Sequence, residues 1–266
     1  MADSVRVFYD ELAENYHLIF ADWHGSMRRQ AAALNTLITS ALGPGPHTIL
    51  DCACGIGTQA IGLALLGHQV HATDLSPKAV AGAECEAAAR GASLTFSVAD
   101  LRTLETQVTG DFDVVLACDN ALPHLLIDDD LRLGVDNMAS MLRPSGLFLA
   151  SIRDYDRLVQ ERPRGEGPRV FDDIRGRRIA FQIWDWSDNG MTYSVHQFIV
   201  QQDGGIWRTD HFSTEYRALL AADLVNALRH AEFALSQIHW HEPEDTGYFQ
   251  PIVTAVKSGD RVTGDG

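Results

Sequence analysis

The 266-residue chain contains few cysteines and no apolar run of the roughly 18 to 20 residues needed to span a bilayer. Its N-terminal residues also lack the basic stretch and apolar core of a secretory signal. The four cysteines include no C-x-x-C pair, and the Cys52-x-Cys54 pair has no second pair of ligands nearby to complete a zinc site. These absences predict a soluble, cytoplasmic protein with reduced thiols in its core and no bound metal.

Basic residues are also scarce, since 21 lysines and arginines stand against 36 acidic residues and the net charge is −15. A field of this sign repels polyanions, so nucleic acids and acidic membranes are poor partners. A small-molecule substrate is favoured, and a homo-oligomer remains open. One stretch differs, because residues 153–178 hold eight arginines against six acids. This local excess leaves room for a phosphorylated substrate.

Hydrophobic residues make up 45% of the sequence, enough for one large α/β domain. Strand-like and helix-like patterns alternate from residue 48, which predicts a parallel sheet wound by helices. The predicted strands are 48–52, 69–73, 94–98, 112–118, 146–152, 234–240 and 250–257, and the predicted helices between them are 58–66, 77–90, 129–142 and 220–231.

Two other segments do not follow this alternation. Near the N-terminus, the spacing of Leu12, Tyr16 and Ile19 predicts an amphipathic helix that lies across the sheet edge as a lid. A break at 21–25 and a second helix over 27–42 follow it. Residues 179–216 are aromatic-rich and alternate in polarity, with hairpin signals at Ser187-Asp-Asn-Gly and Asp203-Gly-Gly. They predict an antiparallel meander of three strands.

The first predicted strand runs directly into a turn of small residues and then a helix. Gly55 and Gly57 permit backbone torsions and close approach that a side chain would block. A dinucleotide site would need a third glycine where Ala60 stands, and the carboxylate of Asp51 beside the turn would repel a phosphate. The turn therefore suits a cationic ligand without phosphate.

Three predicted strands end in an acid: Asp51, Asp74 and Asp100. The order Asp51-x-Ala53-Cys54-Gly55-x-Gly57 resembles motif I of the class I S-adenosylmethionine-dependent methyltransferases. A carboxylate at Asp74 can accept both ribose hydroxyls of that cofactor, and the resemblance implies that Asp100 meets the adenine amino group. S-adenosyl-L-methionine is therefore the expected cofactor, with S-adenosyl-L-homocysteine as its product.

The loop after the fourth strand reads Cys118-Asp-Asn-Ala-Leu-Pro-His and lacks the Asn/Asp-Pro-Pro-Phe/Tyr motif that clamps planar base amines. It resembles the Asn-x-x-x-His arrangement of the glycine and sarcosine N-methyltransferase group, with Asn120 and His124 at the matching positions. In that group an arginine after the fifth strand grips the substrate carboxylate, and Arg153 occupies this place. The expected catalytic set is Asn120, His124, Arg153 and Tyr216.

The resemblance also implies a set of residues around the cofactor. The expected cofactor contacts are Tyr16, Trp23, Arg29, Ala53, Cys54, Gly55, Gly57, Asp74, Leu75, Asp100, Leu101 and Cys118. Arg28 would replace Arg29 if the helix register slips by one residue. The chain departs from the glycine enzymes in having tryptophans between Ile183 and Trp186, which leaves room for a larger or more aromatic substrate.

The resulting fold class is α/β, with a Rossmann-like seven-stranded methyltransferase sheet, an N-terminal helical lid and an inserted antiparallel β-meander. The predicted segments are the lid 1–46, the S-adenosylmethionine-binding core 47–152, the inserted substrate-side subdomain 153–216, the end of the core sheet 217–257 and a flexible tail 258–266.

The expected function is methyl transfer to a small, anionic metabolite, with an amine as the favoured acceptor. A C- or O-methyltransferase of secondary metabolism would use the same fold, with His124, Tyr155 or Tyr216 as base or cation stabiliser. A non-catalytic protein that binds S-adenosylmethionine is the alternative from another class. His239 and His241 have a spacing that can bind metal, but no third ligand is predicted.

Overall fold

A computed structural model describes residues 2–173 and 176–258. Within them the strands are β1 (Thr48–Asp51), β2 (Gln69–Asp74), β3 (Thr95–Val98), β4 (Phe112–Ala117), β5 (Leu142–Ser151), β6 (Gly165–Asp173), β7 (Gly176–Trp186), β8 (Thr192–Asp203), β9 (Ile206–Arg217), β10 (Ile238–His241) and β11 (Ile252–Val256). The α-helices are α1 (Ala2–Leu12), α2 (Trp23–Leu42), α3 (Thr58–Leu65), α4 (Pro77–Arg90), α5 (Leu104–Gln107), α6 (Asp128–Ser140), α7 (Tyr155–Glu161), α8 (Ala221–His230) and α9 (Pro243–Thr246).

A seven-stranded sheet forms the centre of the fold, in the order β10-β11-β5-β4-β1-β2-β3. Strands β1 to β5 pair in parallel, whereas β11 pairs antiparallel with both β5 and β10. The sheet reverses its direction of growth between β1 and β4, and open α/β sheets bind ligands at such a switch point. The predicted Rossmann-like seven-stranded sheet is confirmed.

The central strands are apolar on both faces because helices cover the sheet on each side. Ile49 on one face belongs to a buried cluster with residues of α2 and α3, and Leu50 on the other packs with residues of α6 and α8. Local signals set the helix ends. For example, α4 begins where Ser76 caps the helix by accepting from the Ala79 amide, with Pro77 in the first turn as predicted.

The antiparallel sheet has four strands in the order β6-β7-β8-β9, so the prediction of a three-stranded meander is wrong in its count. Both predicted hairpins are present, between β7 and β8 and between β8 and β9. The additional strand β6 has the sequence GEGPRVFDD, which lacks the apolar alternation of a strand. It is held by its pairing with β7.

The N-terminal segment contains two helical pieces where one helix was predicted. Helix α1 ends at Leu12, and a 3₁₀ helix follows at Tyr16–Ile19. The next helix, α2, begins at Trp23 rather than at residue 27, because the Asp22 side chain caps it by accepting from the Gly25 amide at 2.9 Å. The first residues of α2 therefore lie within the segment 21–25 that was predicted to be a break.

The N-terminal segment packs on the antiparallel sheet. Phe8, Leu12 and Leu18 form a buried cluster with Ile199 and Phe212 of β8 and β9. Helix α1 also contacts the start of α4, because the Ser76 hydroxyl donates a hydrogen bond to Asp10 Oδ1 at 2.6 Å. The segment is thus held over the carboxyl ends of the parallel strands from two sides.

The C-terminal part differs from the prediction most clearly where its first strand begins. A 3₁₀ helix at Leu235–Gln237 precedes β10, which begins at Ile238 rather than at residue 234. Most of the predicted flexible tail, residues 259–266, lies outside the described residues. Within the described ranges, no helix combines the length and apolar character that crossing a bilayer requires. The predicted division into lid, core and inserted subdomain stays a prediction.

Candidate active site

Two cavities lie at the carboxyl ends of the parallel strands. The first is lined by the turn after β1 and the ends of β2, β3 and β4, and the second, of about 680 Å³, opens toward the antiparallel sheet. Three residues line both cavities: Tyr9, Tyr16 and Asp119. A ligand in each cavity would therefore meet the other beside these three side chains.

The turn after β1 has the backbone conformation that its glycines predict. Gly55 and Gly57 adopt φ values of +53° and +89°, in the left-handed region that favours glycine. A Cβ on Gly57 would come within 2.6 Å of the Ile61 side chain. Asp74 supports the turn, because its carboxylate accepts from the Gly55 and Ser76 amides, each at 2.8 Å. The turn and the Asp74 carboxylate together form one wall of the first cavity.

Buried carboxyl groups lie on this wall, at Asp74 and Asp119, and close to it, at Asp51. Burial raises the pKa of Asp51 to about 8 and the pKa of Asp119 to about 6, and it also raises the pKa of Asp74. Asp51 Oδ2 is buried without a hydrogen-bond partner. A cationic ligand beside these groups would favour their ionised forms.

The first cavity offers little to a phosphate. Arg102 is the arginine on its wall, and it is ion-paired with Asp100 at 2.6 Å and with Asp130 at 3.0 Å. These contacts also occupy the Asp100 carboxylate, whose pKa lies below its usual value because the hydrogen bonds and charge of Arg102 outweigh the effect of burial. The donor set therefore fits a cationic ligand without phosphate groups, as the sequence predicts.

Arg153 lies on the wall of the second cavity. Its guanidinium donates to the Tyr193 hydroxyl at 2.8 Å and to Gln182 Oε1 at 3.1 Å. Within residues 2–173 and 176–258, no carboxylate lies within ion-pair distance of it. A partly buried guanidinium with only neutral partners is a binding group for an anion.

An aromatic wall surrounds this guanidinium. The Arg153 guanidinium carbon lies 4.7 Å from the centroid of the Trp184 ring and 5.6 Å from that of Tyr216. Tyr193 stacks between Trp186 and Tyr216, with centroid distances of 4.6 and 5.7 Å. These rings hold the charged group in place and give the cavity an apolar face.

Asn120 is 2% exposed, and its side chain is already hydrogen-bonded within the protein. The amide nitrogen donates to the Tyr155 hydroxyl at 2.9 Å, and Oδ1 accepts from the Arg153 backbone amide at 3.1 Å. Asn120 thus fixes the backbone that carries Arg153. This geometry favours a positioning role over direct contact with a substrate.

His124 lies beside the first cavity, where its Nε2 is 2.9 Å from the Tyr9 hydroxyl and its Nδ1 is buried without a partner. Burial lowers the pKa of His124 to about 3, so the ring is neutral at physiological pH. It packs against Tyr216, with ring centroids 4.2 Å apart. A base with so low a pKa accepts a proton poorly at neutral pH.

The predicted site residues divide between the two cavities. The first cavity is lined by Tyr16, Ala53, Cys54, Gly55, Asp74, Leu75, Asp100, Leu101, Cys118 and His124. The second is lined by Tyr16, Arg29, Asn120, Arg153 and Tyr216. Two predicted cofactor contacts line neither cavity. Gly57 forms the end of the turn, and Trp23 is buried behind α3, where its indole nitrogen donates to Thr58 Oγ1 at 2.9 Å.

Sequence reasoning missed Tyr9, Asp119 and Gln182 as site residues. Tyr9 lies next to Phe8 on a helix whose apolar side packs on the sheet, so its pattern is that of a core residue. Asp119 has a signal in retrospect: it stands directly after β4, where the chain reaches the ligand crevice. Gln182 lies in the middle of β7 and has no such signal.

No group of three or more histidine, cysteine, aspartate or glutamate side chains in the described part of the chain has the arrangement of a metal site. His241, one of the two strand histidines with metal-like spacing, hydrogen-bonds the Thr254 hydroxyl at 2.8 Å. This contact agrees with an ordinary strand-end histidine.

Comparison with known proteins shows which proteins this chain is similar to. Residues 49–146 match a family model described as a methyltransferase domain. The glycine/sarcosine N-methyltransferase of Parasynechococcus marenigrum is 34% identical over 176 residues, which cover 65% of this chain and 59% of that protein. The glycine N-methyltransferase of Mus musculus is 33% identical over 138 residues, covering 48% of this chain and 47% of that protein. The chain thus spans about half to three fifths of the length of these curated relatives.

Solved structures share the fold across most of the chain. CalS10, an amino pentose methyltransferase from Micromonospora echinaspora, was solved with S-adenosylmethionine bound. It superposes with a TM-score of 0.73 at 19% identity and covers 88% of this chain and 92% of its own. At this identity the likeness shows a shared fold.

Proposed function

Because this chain belongs to the class I S-adenosylmethionine-dependent methyltransferases, we propose that it methylates the nitrogen of a small amine that also carries an anionic group. The observation that carries this proposal is Arg153, a partly buried cation on the second cavity that is held by neutral side chains. The anion that pairs with it would come from the substrate.

The first cavity is the proposed cofactor site. The Asp74 carboxylate would accept the ribose hydroxyls, while the Gly55 turn allows the close approach of the ligand. S-adenosylmethionine carries a sulfonium and an ammonium group but no phosphate, which agrees with the Asp74 carboxyl group on the cavity wall and the buried Asp51 carboxyl group that interacts with it. When bound, it supplies a methyl group that is already activated for transfer.

The protein's part in such a reaction is to bind, align and exclude water. Arg153 would hold the anionic group, and the loop of Asp119 and Asn120 would set the position of the amine. Tyr9 and Tyr16 line both cavities where the two meet. Alignment of two reactants in this way can lower a barrier by up to about 7 to 11 kcal/mol.

The size of the second cavity argues for a substrate larger than glycine. Ligand cavities typically enclose most of their ligand, and glycine would fill only a small part of about 680 Å³. The curated relatives act on glycine and sarcosine by name, and a fold neighbour acts on an amino pentose. An amine with a carboxylate and an additional ring or polar side chain fits both the volume and the aromatic wall.

A second candidate is O- or C-methylation of a phosphorylated substrate. Arg29, Arg157 and Arg169 also line the second cavity, together with six acidic residues, and Arg157 is ion-paired with Asp154 and Glu161. A doubly charged phosphate ester would suit this set better than a single carboxylate does. In this case a substrate hydroxyl or carbon would replace the amine at the junction of the cavities.

A mass-spectrometric screen with matched substrate pairs tests the proposal. Purified protein and S-adenosylmethionine would be incubated with glycine, sarcosine and phenylalanine, and separately with methylamine, dimethylamine and phenethylamine, which lack the carboxylate. We expect methylation of a carboxylate-bearing amine at a rate at least about 10-fold above its partner, as one charge-assisted hydrogen bond would give. Equal rates within every pair would contradict an anionic substrate. Sugar phosphates and amino sugars in the same screen test the second candidate.

A further inference from the structure

Asp119 lines both cavities, and neither the family resemblance nor the binding scheme above gives its carboxylate a part in proton transfer. It stands at the end of β4, between Cys118 and Asn120, where the cofactor and substrate sites meet. We propose that Asp119 is the general base of this enzyme, and that its carboxylate binds the substrate ammonium and takes its proton before methyl transfer. This inference rests on the proposed N-methylation.

The backbone around Asp119 is built to hold the carboxylate at the junction. Asp119 and Asn120 adopt φ values of 57° and 68°, two successive non-glycine residues in the left-handed region. The Asp119 amide donates to Ser151 Oγ at 2.8 Å, and the Asn120 amide donates to the Ser151 carbonyl at 3.1 Å. Strained conformations of this kind persist where the surrounding structure holds a functional group in place.

The Asp119 carboxyl has unused acceptor capacity. Among the described residues it accepts from the Tyr248 hydroxyl at Oδ1, over 3.2 Å, and it also interacts with the Gln59 side chain, but no cationic side chain lies within ion-pair distance. A carboxylate can accept about four hydrogen bonds. An ammonium group, with three donors and a positive charge, complements what remains.

Several titratable or charged groups on the surrounding elements interact with Asp119. These groups are Tyr16 from the N-terminal segment, Asp51 at the end of β1, Cys118 at the end of β4, Arg153 after β5 and Tyr248 before β11. Burial raises the pKa of Asp119 to about 6, against the opposing effects of Gln59, Tyr248 and Arg153. Asp119 is thus ionised at pH 7 yet basic enough to accept a proton. His124, with a pKa near 3, is not.

The proposed proton transfer and methyl transfer need no reactant other than the amine and the methyl donor. The proton of the substrate ammonium moves to an Asp119 oxygen, which leaves a neutral amine with a free electron pair. This nitrogen then forms the new N–C bond, while the C–S bond of the donor breaks and its electron pair stays on sulfur. The proton leaves Asp119 for solvent when the product departs. The substrate class follows: an amine that is protonated in solution, with its anionic group directed to Arg153.

The test is Asp119→Asn, which preserves the shape of the side chain and tolerates the left-handed backbone. The assay would use the amine methylated fastest among glycine, sarcosine and phenylalanine. At pH 7 we expect kcat/KM to fall about 100-fold or more, as loss of a general base predicts. Wild-type kcat/KM should fall tenfold per pH unit below about pH 6, where Asp119 is protonated in the free enzyme. The variant should lose this fall and gain activity as the pH approaches the pKa of the amine.

Three controls separate the outcomes. Asp129→Asn, at a carboxylate that is 89% exposed on α6, should retain the wild-type profile. Calorimetry should show that Asp119→Asn binds S-adenosylmethionine with wild-type affinity. If the affinity falls 10-fold or more while the dependence of kcat/KM on pH is unchanged, Asp119 is a cofactor ligand and the inference is overturned. Tyr248→Phe should move the acidic fall to higher pH, because the Tyr248 hydrogen bond lowers the pKa of Asp119.

The wild-type protein also tests the inference by itself if Asp119→Asn does not fold. A kcat/KM that is constant between pH 5 and pH 7 would contradict a base with a pKa near 6. Methylation of an amine with no change in Asp119→Asn would overturn the inference and leave the proposed function intact. Methylation of none of the amines would contradict the proposed function, and the inference would fall with it.

Discussion

Replacement of Arg153 by alanine is the mutation whose effect follows most directly from the structure. Two of the five guanidinium N–H groups are used, by Tyr193 and Gln182, so up to three remain for a substrate anion. A hydrogen bond to a charged group contributes about 1.5 to 3 kcal/mol. Arg153→Ala should therefore lower kcat/KM by about 10- to 150-fold, since 1.36 kcal/mol corresponds to a factor of ten.

The assay is steady-state kinetics with the best amine of the panel, together with calorimetry of the cofactor. Cofactor affinity should change little, because Arg153 lines the second cavity and not the first. Arg153→Lys should restore activity only in part, since an ammonium keeps the charge but cannot make a planar two-pronged contact. Arg177→Ala, at an exposed arginine paired with Asp172, is the matched control and should have wild-type kinetics.

The result must be separated from a loss of stability. Arg153 also packs on Trp184, so the alanine variant should unfold somewhat more easily than the wild type. Kinetics would be measured at a temperature where circular dichroism shows each variant folded. A folded Arg153→Ala protein with wild-type kcat/KM for its carboxylate-bearing substrate would refute the role assigned to this guanidinium.

Two further predictions concern the cofactor side. Asp74→Ala should weaken S-adenosylmethionine binding by about 1.5 to 3 kcal/mol in calorimetry, because the ribose hydroxyls lose a charged acceptor; unchanged affinity in a folded variant would contradict the assignment. The pKa of Asp51 is raised to about 8, so between about pH 4 and pH 8 Asp51 holds a proton in the folded state that it releases on unfolding. The free energy of unfolding should therefore decrease as the pH rises through this range, by up to about 1.4 kcal/mol per pH unit. Asp51→Asn should flatten this decrease in urea unfolding measured at pH 5 and pH 8, and an equally steep decrease would contradict a protonated Asp51.

The parts of the site that depend on local sequence were predictable. Gly55 and Gly57 are needed by the turn itself, and acids at strand ends reach the ligand crevice wherever the sheet is parallel. The same holds for Ser76 and Pro77, whose helix start is a short-range signal. These residues have their roles because of neighbours within a few positions along the chain.

The parts that depend on distant contacts were not predictable. The position of Asp119 directly after β4 has a sequence signal, but its burial and its contact with the distant Tyr248 do not. Strand β6 forms because β7 offers it hydrogen bonds, although its own sequence lacks strand alternation. The indole nitrogen of Trp23 donates to Thr58 Oγ1, a contact between residues 35 positions apart that no short-range pattern indicates.

The central claim, transfer of a methyl group from S-adenosylmethionine to the nitrogen of an anionic amine, is tested most directly by the position of a labelled methyl group. The protein would be incubated with S-adenosylmethionine that carries a trideuterated methyl group and with the carboxylate-bearing amines, and the products would be fragmented by mass spectrometry. We predict a gain of one CD₃ group that stays with the nitrogen-containing fragment. A label on oxygen or carbon, or transfer only to amines without an anionic group, would contradict the account.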